Sequence, residues 1–439
     1  MRRLLAAFAA AVPLIAACAL PGVAQASWGV PFQIEPPGTL DLQAPRLALS
    51  AGGAGVAAFG IGNVDVPGSS QAYMAMLGPS GYPTAPPISA PGAVPGAARV
   101  MSVAFDRGSA ELLTGGAGRG RDCCARAQVV NVSARGRPGQ PRTVVGGLAG
   151  PAIGRLLALA DGQMLAAVAT QRGIWVSQSA RADRFTRRHL LTGPGQMPES
   201  LGAVWLGGER TVIAWTAAAG AAGASDPGSI TYAVGSRAAP PNGPRTAVRV
   251  PTGHRVDELG LAPRAGVATA TWVESWFDAH GAWHSQVRAM DIAPGARPVT
   301  LSSPGRLASG LAVAGDPAGD QAVSWESCTV DGSCAAQVAV RRARGGFGAP
   351  RTLGSIDPGQ QPSVAVGPGG QVVVGFVSGG RPFAASEASP GRGFGRPVAL
   401  SSTSYAYDLT VAAGAGGRAL AAWSQGTLHP SVVAAAFRG

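Results

Sequence analysis

Lysine is absent from this 439-residue chain, and all 35 basic side chains are arginine. With 65 glycines and 36 prolines alongside, that points to the codon bias of a GC-rich genome rather than to selection for guanidinium chemistry. Charged residues are scarce at 13% and aromatics make up 6%. So many turn-formers chop the chain finely, which a helical protein of this size would not tolerate. A single core rarely grows past roughly 250 to 300 residues, so the chain either splits into domains or builds repeats with their own interfaces.

The one long apolar run, residues 4–20, lies between Met1-Arg2-Arg3 and the break Pro21-Gly22, just ahead of Ala24-Gln25-Ala26. A basic start, an apolar middle and a small-x-small site read as a signal peptide over residues 1–26, with residues 27–439 as the mature, exported chain. An alternative reading takes Ile15-Ala16-Ala17-Cys18 as a lipobox, with Cys18 lipidated and anchoring a surface protein. Nothing after residue 26 reads as a transmembrane span, which needs about 20 apolar residues. Without the leader's two arginines, 33 basic side chains face 23 acidic ones, a net charge of +10. In an exported protein this favours anionic envelope polymers or headgroups as partners and argues against nucleic acid.

What is abundant is a unit of about 50 residues, in the period range of propeller blades. Its plainest copy runs Ser363-Val364-Ala365-Val366, a Gly-Pro-Gly-Gly turn, then Val372-Val373-Val374-Gly375-Phe376, a break at Gly379-Gly380 and a last run through Phe394-Gly395-Arg396-Pro397 to Leu400. Strand-length alternating pieces of this kind predict four antiparallel strands per repeat. The second strand is expected to end in a large residue, traced as Phe59, Leu113, Val168, Trp215, Trp272, Trp325, Phe376 and Trp423, eight in all. Small residues such as Ala214, Ser324 and Ala422 precede several of them and point to the other face, which suits sheets packed in a ring.

The fourth strand carries its own signature, aromatic-Gly-x-Pro followed by an aliphatic. Phe347-Gly348-Ala349-Pro350 and Phe394-Gly395-Arg396-Pro397 show it whole, while Pro86, Pro141, Pro244 and Pro298 mark weaker copies. Proline cannot donate to a ladder, so this strand belongs at the outer edge. The eighth unit ends at Gly439 with no room for one, but Trp28-Gly29-Val30-Pro31-Phe32-Gln33-Ile34 fits the pattern. The expected fold is therefore all-β, a closed propeller of eight four-stranded blades whose N-terminal strand completes the last blade. This repeat resembles those of secreted bacterial β-propeller proteins, actinobacterial ones in particular. The resemblance spans residues 27–439 and implies architecture alone, with no catalytic residue set.

Four cysteines follow the leader: Cys123, Cys124, Cys328 and Cys334. Both pairs fall between second and third strands, of units two and six, which lie opposite each other in an eightfold ring. A bridge across the channel would exceed the roughly 7 Å limit between Cα atoms. Cys328 and Cys334 are thus expected to staple a hairpin around Asp331-Gly332. Cys123 and Cys124 form a vicinal disulfide, stay reduced or cross-link two molecules.

The richest loop lies in unit five and contains Glu274, Trp276, Phe277, Asp278, His280, Trp283 and His284. Aromatics beside carboxylates suit a sugar ring or a protein hot spot, and long loops on a rigid scaffold tend to carry binding residues. His280 and His284 with Asp278 lack the helix-face logic that gives such a spacing meaning as a metal site, so no metal is assigned. Asp65, Asp122, Asp226 and Asp331 occupy related loops. The pattern favours a noncatalytic binding or scaffold propeller for a glycan, an envelope polymer or a protein. The alternatives are a carbohydrate-active hydrolase or lyase using Glu274, Asp278 and Glu326, and a structural envelope protein with no site. No residue pattern calls for a cofactor.

Overall fold

The computed structural model describes residues 27–35, 42–50, 52–62, 71–90, 99–106, 108–116, 126–146, 152–159, 162–179, 185–193, 198–217, 228–387, 390–427 and 431–438. Residues 1–26, expected as a signal peptide and containing Cys18, the Cys123-Cys124 pair, Asp65, Asp122 and Asp226 lie outside these residues. No helix among the described residues is long and apolar enough to cross a membrane.

Eight antiparallel sheets follow one another along the chain, seven of them with all four strands in sequence order from the inside of the ring outward. They occupy residues 46–89, 99–146, 153–190, 201–249, 254–300, 307–355, 363–399 and 406–438, numbered here as blades 1 to 8. The protein is an eight-bladed β-propeller. Blade 8 has three strands from the C-terminal end of the chain and takes its outer strand from the N-terminal end, where Ser27–Trp28 and Phe32–Glu35 both pair with Ser431–Arg438. Trp28 lies opposite Phe437, and Phe32 opposite Ala434.

The large residues of the second strands form the seams between blades. Ile213 and Trp215 of blade 4 pack on Leu165, Ala167 and Ile174 of blade 3, while Ala214, on the other face, meets Trp272 of blade 5. Trp325 packs on Val273 and Val287 of blade 5, and Trp423 on Val373 and Ala384 of blade 7. The last seam joins the two ends of the ring, with Phe59 of blade 1 against Ala422 and Ala434 of blade 8. A large side chain thus enters the space left by a small one on its neighbour, the close packing that a ring of twisted sheets requires.

Two details differ from the sequence expectation. The second strands do not end at the aromatic: the strand holding Trp272 continues to Phe277, and that holding Trp325 to Cys328. In blade 2, Leu113 faces blade 3, and Leu112 takes the place packed against blade 1. A shift of one residue turns a side chain to the other face, and two adjacent leucines leave the pattern silent on which is which.

Outer strands begin just after the proline in most blades, Pro350 before Arg351–Ser355 and Pro397 before Val398–Ala399, so the missing N–H falls where no partner strand exists. Neighbouring inner strands are bolted by side chains. The hydroxyls of Ser102, Ser200 and Ser363 accept the N–H of Leu156, Leu259 and Val411 on the next blade at 3.2, 3.1 and 3.0 Å. Between blades 5 and 6 the bolt is Glu258, which accepts N–H groups from Gly310 at 2.9 Å and Leu311 at 2.5 Å. Burial pushes the Glu258 carboxyl above the usual range despite these two donors.

Candidate functional site

Blade 5 has the longest strands of the ring, His254–Arg264, Val267–Phe277 and Trp283–Asp291. The segment expected as a loop from Glu274 to His284 is mostly a β-hairpin, with only residues 278–282 at its tip. Cross-strand pairs continue the ladder outward, Trp276 opposite His284 and Phe277 opposite Trp283. Asp278 closes the tip: its carboxylate accepts the N–H of His280 at 2.8 Å and of Ala282 at 2.9 Å.

Alternation then sorts the candidate residues onto two faces. Glu274, Trp276 and His284 share one side, and Phe277 and Trp283 take the other. His254, on the adjoining inner strand, lies opposite Trp276 and completes a stack of three rings. His254 and Trp276 are 4.7 Å apart and 6° from parallel, and Trp276 and His284 are 5.3 Å apart at 17°. The two imidazoles come from the strands on either side, so both faces of the indole are covered.

Each imidazole is in turn held by a carboxylate. His254 Nδ1 donates to Glu274 Oε1 at 2.7 Å, and His284 Nε2 donates to Asp278 Oδ2 at 2.9 Å. The His284 hydrogen bond, with the two backbone N–H donors, holds the Asp278 carboxyl below its ordinary range. Glu274 is buried, and its second oxygen accepts Arg288 Nη1 at 2.8 Å. Arg288 also lies 5.9 Å over the ring of the core residue Trp272. A continuous chain of contacts therefore runs from the hairpin tip to the seam between blades 4 and 5.

On the other face, Phe277 and Trp283 meet edge to face, 4.7 Å apart at 61°. They are 65% and 37% exposed, the most open pair of aromatic rings in contact among the described residues. His280 is exposed at the tip and joins neither group. Of the seven candidates, Glu274, Trp276, Asp278 and His284 come together in the stack, Phe277 and Trp283 form the exposed pair, and His280 stands apart. Sequence reading missed His254 and Arg288. Antiparallel register from Trp272 would have found Arg288, directly opposite it, whereas a bulge between Val256 and Glu258 shifts the inner strand by one residue and hides His254 from such counting.

The other candidate carboxylate, Glu326 in blade 6, is also engaged: its oxygens accept the Ser309 hydroxyl at 2.8 Å and the Gly359 N–H at 2.9 Å. It lies beside Cys328 and Cys334, the only close group of three potential metal donors among the described residues. The two sulfurs are bonded to each other as a disulfide, which leaves no thiolate for a metal. Asp331, in the same hairpin, is exposed and accepts from Ser333 N at 3.3 Å. A groove of about 510 Å³ lies elsewhere, between blades 5 and 6, lined by Met290, Val299, Leu301, Arg341 and Phe347 among others. Its polar floor is satisfied, because Asp291 binds Arg341 twice, at 2.7 and 3.0 Å, and also Arg264 and Thr269.

No protein-family model matches the chain, and no curated protein matches it. Solved structures with a similar course of the chain include the polysaccharide lyase Uly1, at 9% identity and a TM-score of 0.49, covering 78% of this chain and 90% of that one. A protein of unknown function from Dyadobacter fermentans is 11% identical with a TM-score of 0.44, covering 95% and 100%. An α-L-arabinofuranosidase of Fusarium graminearum is 11% identical with a TM-score of 0.41, covering 65% and 92%.

Proposed function

We propose that this propeller is an exported binding or scaffold protein that presents the blade-5 hairpin to a glycan, an anionic envelope polymer or a protein. The observation that carries the reading is the exposed Phe277–Trp283 pair on a hairpin braced from within. Rigid aromatic rings held off the body of a scaffold offer contact area at little cost in conformational entropy. The His254–Trp276–His284 stack and its two carboxylates serve as the brace, and His280 adds a polar contact at the tip.

The carboxylates also weigh against a hydrolase or lyase built on Glu274, Asp278 and Glu326. Glycoside hydrolysis needs one carboxyl free to give a proton and a second free to act as base or nucleophile. All three here already accept hydrogen bonds from their own neighbours. Export fits the Cys328–Cys334 disulfide, which persists in oxidising compartments.

The test is a binding panel of soluble polysaccharides and cell-envelope extracts, run with the parent and the Phe277→Ala/Trp283→Ala double variant. Saturable binding by the parent, weakened at least tenfold in the variant, is expected. Equal binding by both proteins would remove the pair from the site.

A further inference from the structure

Net charge is distributed very unevenly around the ring. Between residues 99 and 190, which make up blades 2 and 3, the sequence has 14 arginines against five acidic residues, an excess of nine. The whole chain has an excess of 12, two of which belong to Arg2 and Arg3. The six other blades, with nearly four fifths of the residues after the leader, add almost nothing.

In blades 5 to 7 twelve arginines stand against 11 acidic residues, and five of the twelve are held in ion pairs. Arg288 pairs with Glu274, Arg264 and Arg341 with Asp291, Arg255 with Asp257, and Arg342 with Glu387. In blades 2 and 3 the ion pair among the described residues is Arg142 with Glu111. Arg126, Arg135, Arg137 and Arg172 are exposed and make no ion pair among the described residues. Arg188 is exposed as well and donates to the Thr143 carbonyl at 3.0 Å, reaching from the outer strand of blade 3 to that of blade 2.

Their places in the fold make a band rather than a spot. Arg126 opens the third strand of blade 2, and Arg172 lies at the tip of the blade-3 hairpin, both on the propeller face that carries the hairpin tips. Arg135 and Arg137 lie in the turn after the same third strand, at its other end. A strand of seven residues, six steps of about 3.3 Å, separates the two ends by about 20 Å, and Arg188 lies on the rim between them.

We propose that blades 2 and 3 form a second binding surface, a basic band running from one propeller face over the rim to the other, and that it takes a linear acidic polysaccharide. A chain bearing regularly spaced carboxylate or sulfate groups can follow such a band, gaining one contact and releasing counterions at each arginine. The surface offers little to other polyanions. Among the described residues between 99 and 190, the only large exposed apolar side chain is Leu190, which leaves no aromatic ring for a base to stack on and no wedge to enter a bilayer. This surface is separate from the blade-5 hairpin and does not rest on that reading.

The experiment measures dissociation constants for dextran sulfate and polygalacturonate between 50 and 200 mM NaCl, with neutral dextran, a single-stranded oligonucleotide and phosphatidylglycerol vesicles as comparisons. Two fourfold variants lose the same charge in different places: Arg126→Gln/Arg135→Gln/Arg137→Gln/Arg172→Gln in the band, and Arg245→Gln/Arg249→Gln/Arg392→Gln/Arg396→Gln on blades 4 and 7. The parent should bind both acidic polymers and not dextran, and the band variant should bind at least tenfold more weakly at 50 mM salt. Its plot of log Kd against log salt should be shallower by about three, at roughly 0.7 to 0.9 per lost contact. The control variant should stay within twofold of the parent. Equal losses in the two variants would reduce the effect to net charge and overturn the proposal, as would tighter binding of the parent to vesicles or oligonucleotide than to either polysaccharide. The milder Arg135→Gln/Arg137→Gln variant, expected at about half the change in slope, serves if the fourfold band variant does not fold. Phe277→Ala/Trp283→Ala should leave all these values unchanged, so either surface can fail without the other.

Discussion

Trp28 and Phe437 lie opposite each other on the two outermost strands of the last blade, their rings 5.2 Å apart and tilted by 44°. One stands at the start of the described chain and the other near its end, so the contact closes the ring. Ile34 is buried in the same closure, and Phe32 lies 4.7 Å from Tyr82 of blade 1.

Removing residues up to Glu35 should therefore destabilise the whole propeller. Burying a large apolar side chain contributes about 1.5 to 3 kcal/mol, so losing Trp28, Phe32 and Ile34 together should cost on the order of 5 kcal/mol. Urea denaturation of the truncated chain checks this, and a midpoint equal to that of the parent would show that the strand does not close the ring.

The two classes of tryptophan should separate cleanly. Trp272 is fully buried at a seam, and Trp272→Ala is expected to cost about 3 to 5 kcal/mol. Trp283 is partly open to solvent on the hairpin, and Trp283→Ala should change stability by about 0.5 kcal/mol. Paired denaturation curves measure both, and similar losses would contradict the division into core and surface.

Glu258 gives the fold a pH dependence. Its carboxyl is raised by burial, with Asp257 and Glu326 nearby adding to the shift. A group whose pKa is higher in the folded than in the unfolded state contributes fully below the unfolded value, and that contribution is lost as pH rises through the folded one. Glu258→Gln has no such proton to lose. The stability difference between parent and variant should therefore move against the parent as pH rises from about 4.5, the ordinary glutamic acid value, toward neutrality. Curves that stay parallel across that range would contradict it.

Reduction of Cys328–Cys334 should have a modest effect. The bridge closes a short loop whose ends are already paired in the ladder, Ser327 opposite Ala335. The entropic estimate for so short a loop is about 2 kcal/mol, an upper figure when the hairpin is already formed. Cys328→Ser/Cys334→Ser should melt a few degrees lower by calorimetry and remain folded; collapse of the ring would show that the bridge holds more than its own hairpin.

Much of the architecture was legible because its signals are local. Proline and glycine at the outer strands, as in Phe394-Gly395-Arg396-Pro397, fix edge and turn through backbone chemistry alone, and the same pattern at Trp28 counted the blades. Leu113 stands in the traced pattern where Leu112 belongs, because two equal adjacent side chains carry no phase. The blade-5 hairpin read as a loop because Asp278 and Gly281 are turn residues, and the cross-strand pairs that extend the ladder lie on separate stretches of chain. His254 entered the site only through register, a long-range property that no spacing displays.

The most direct test of the account joins binding to the fate of the ligand. The parent protein is titrated with each polysaccharide that it retains, and the polymer is then recovered and assayed for new reducing ends and for unsaturated products. Saturable binding with the polymer recovered intact is the predicted result; chain cleavage that grows with time and enzyme concentration would contradict a binding propeller and restore a catalytic one.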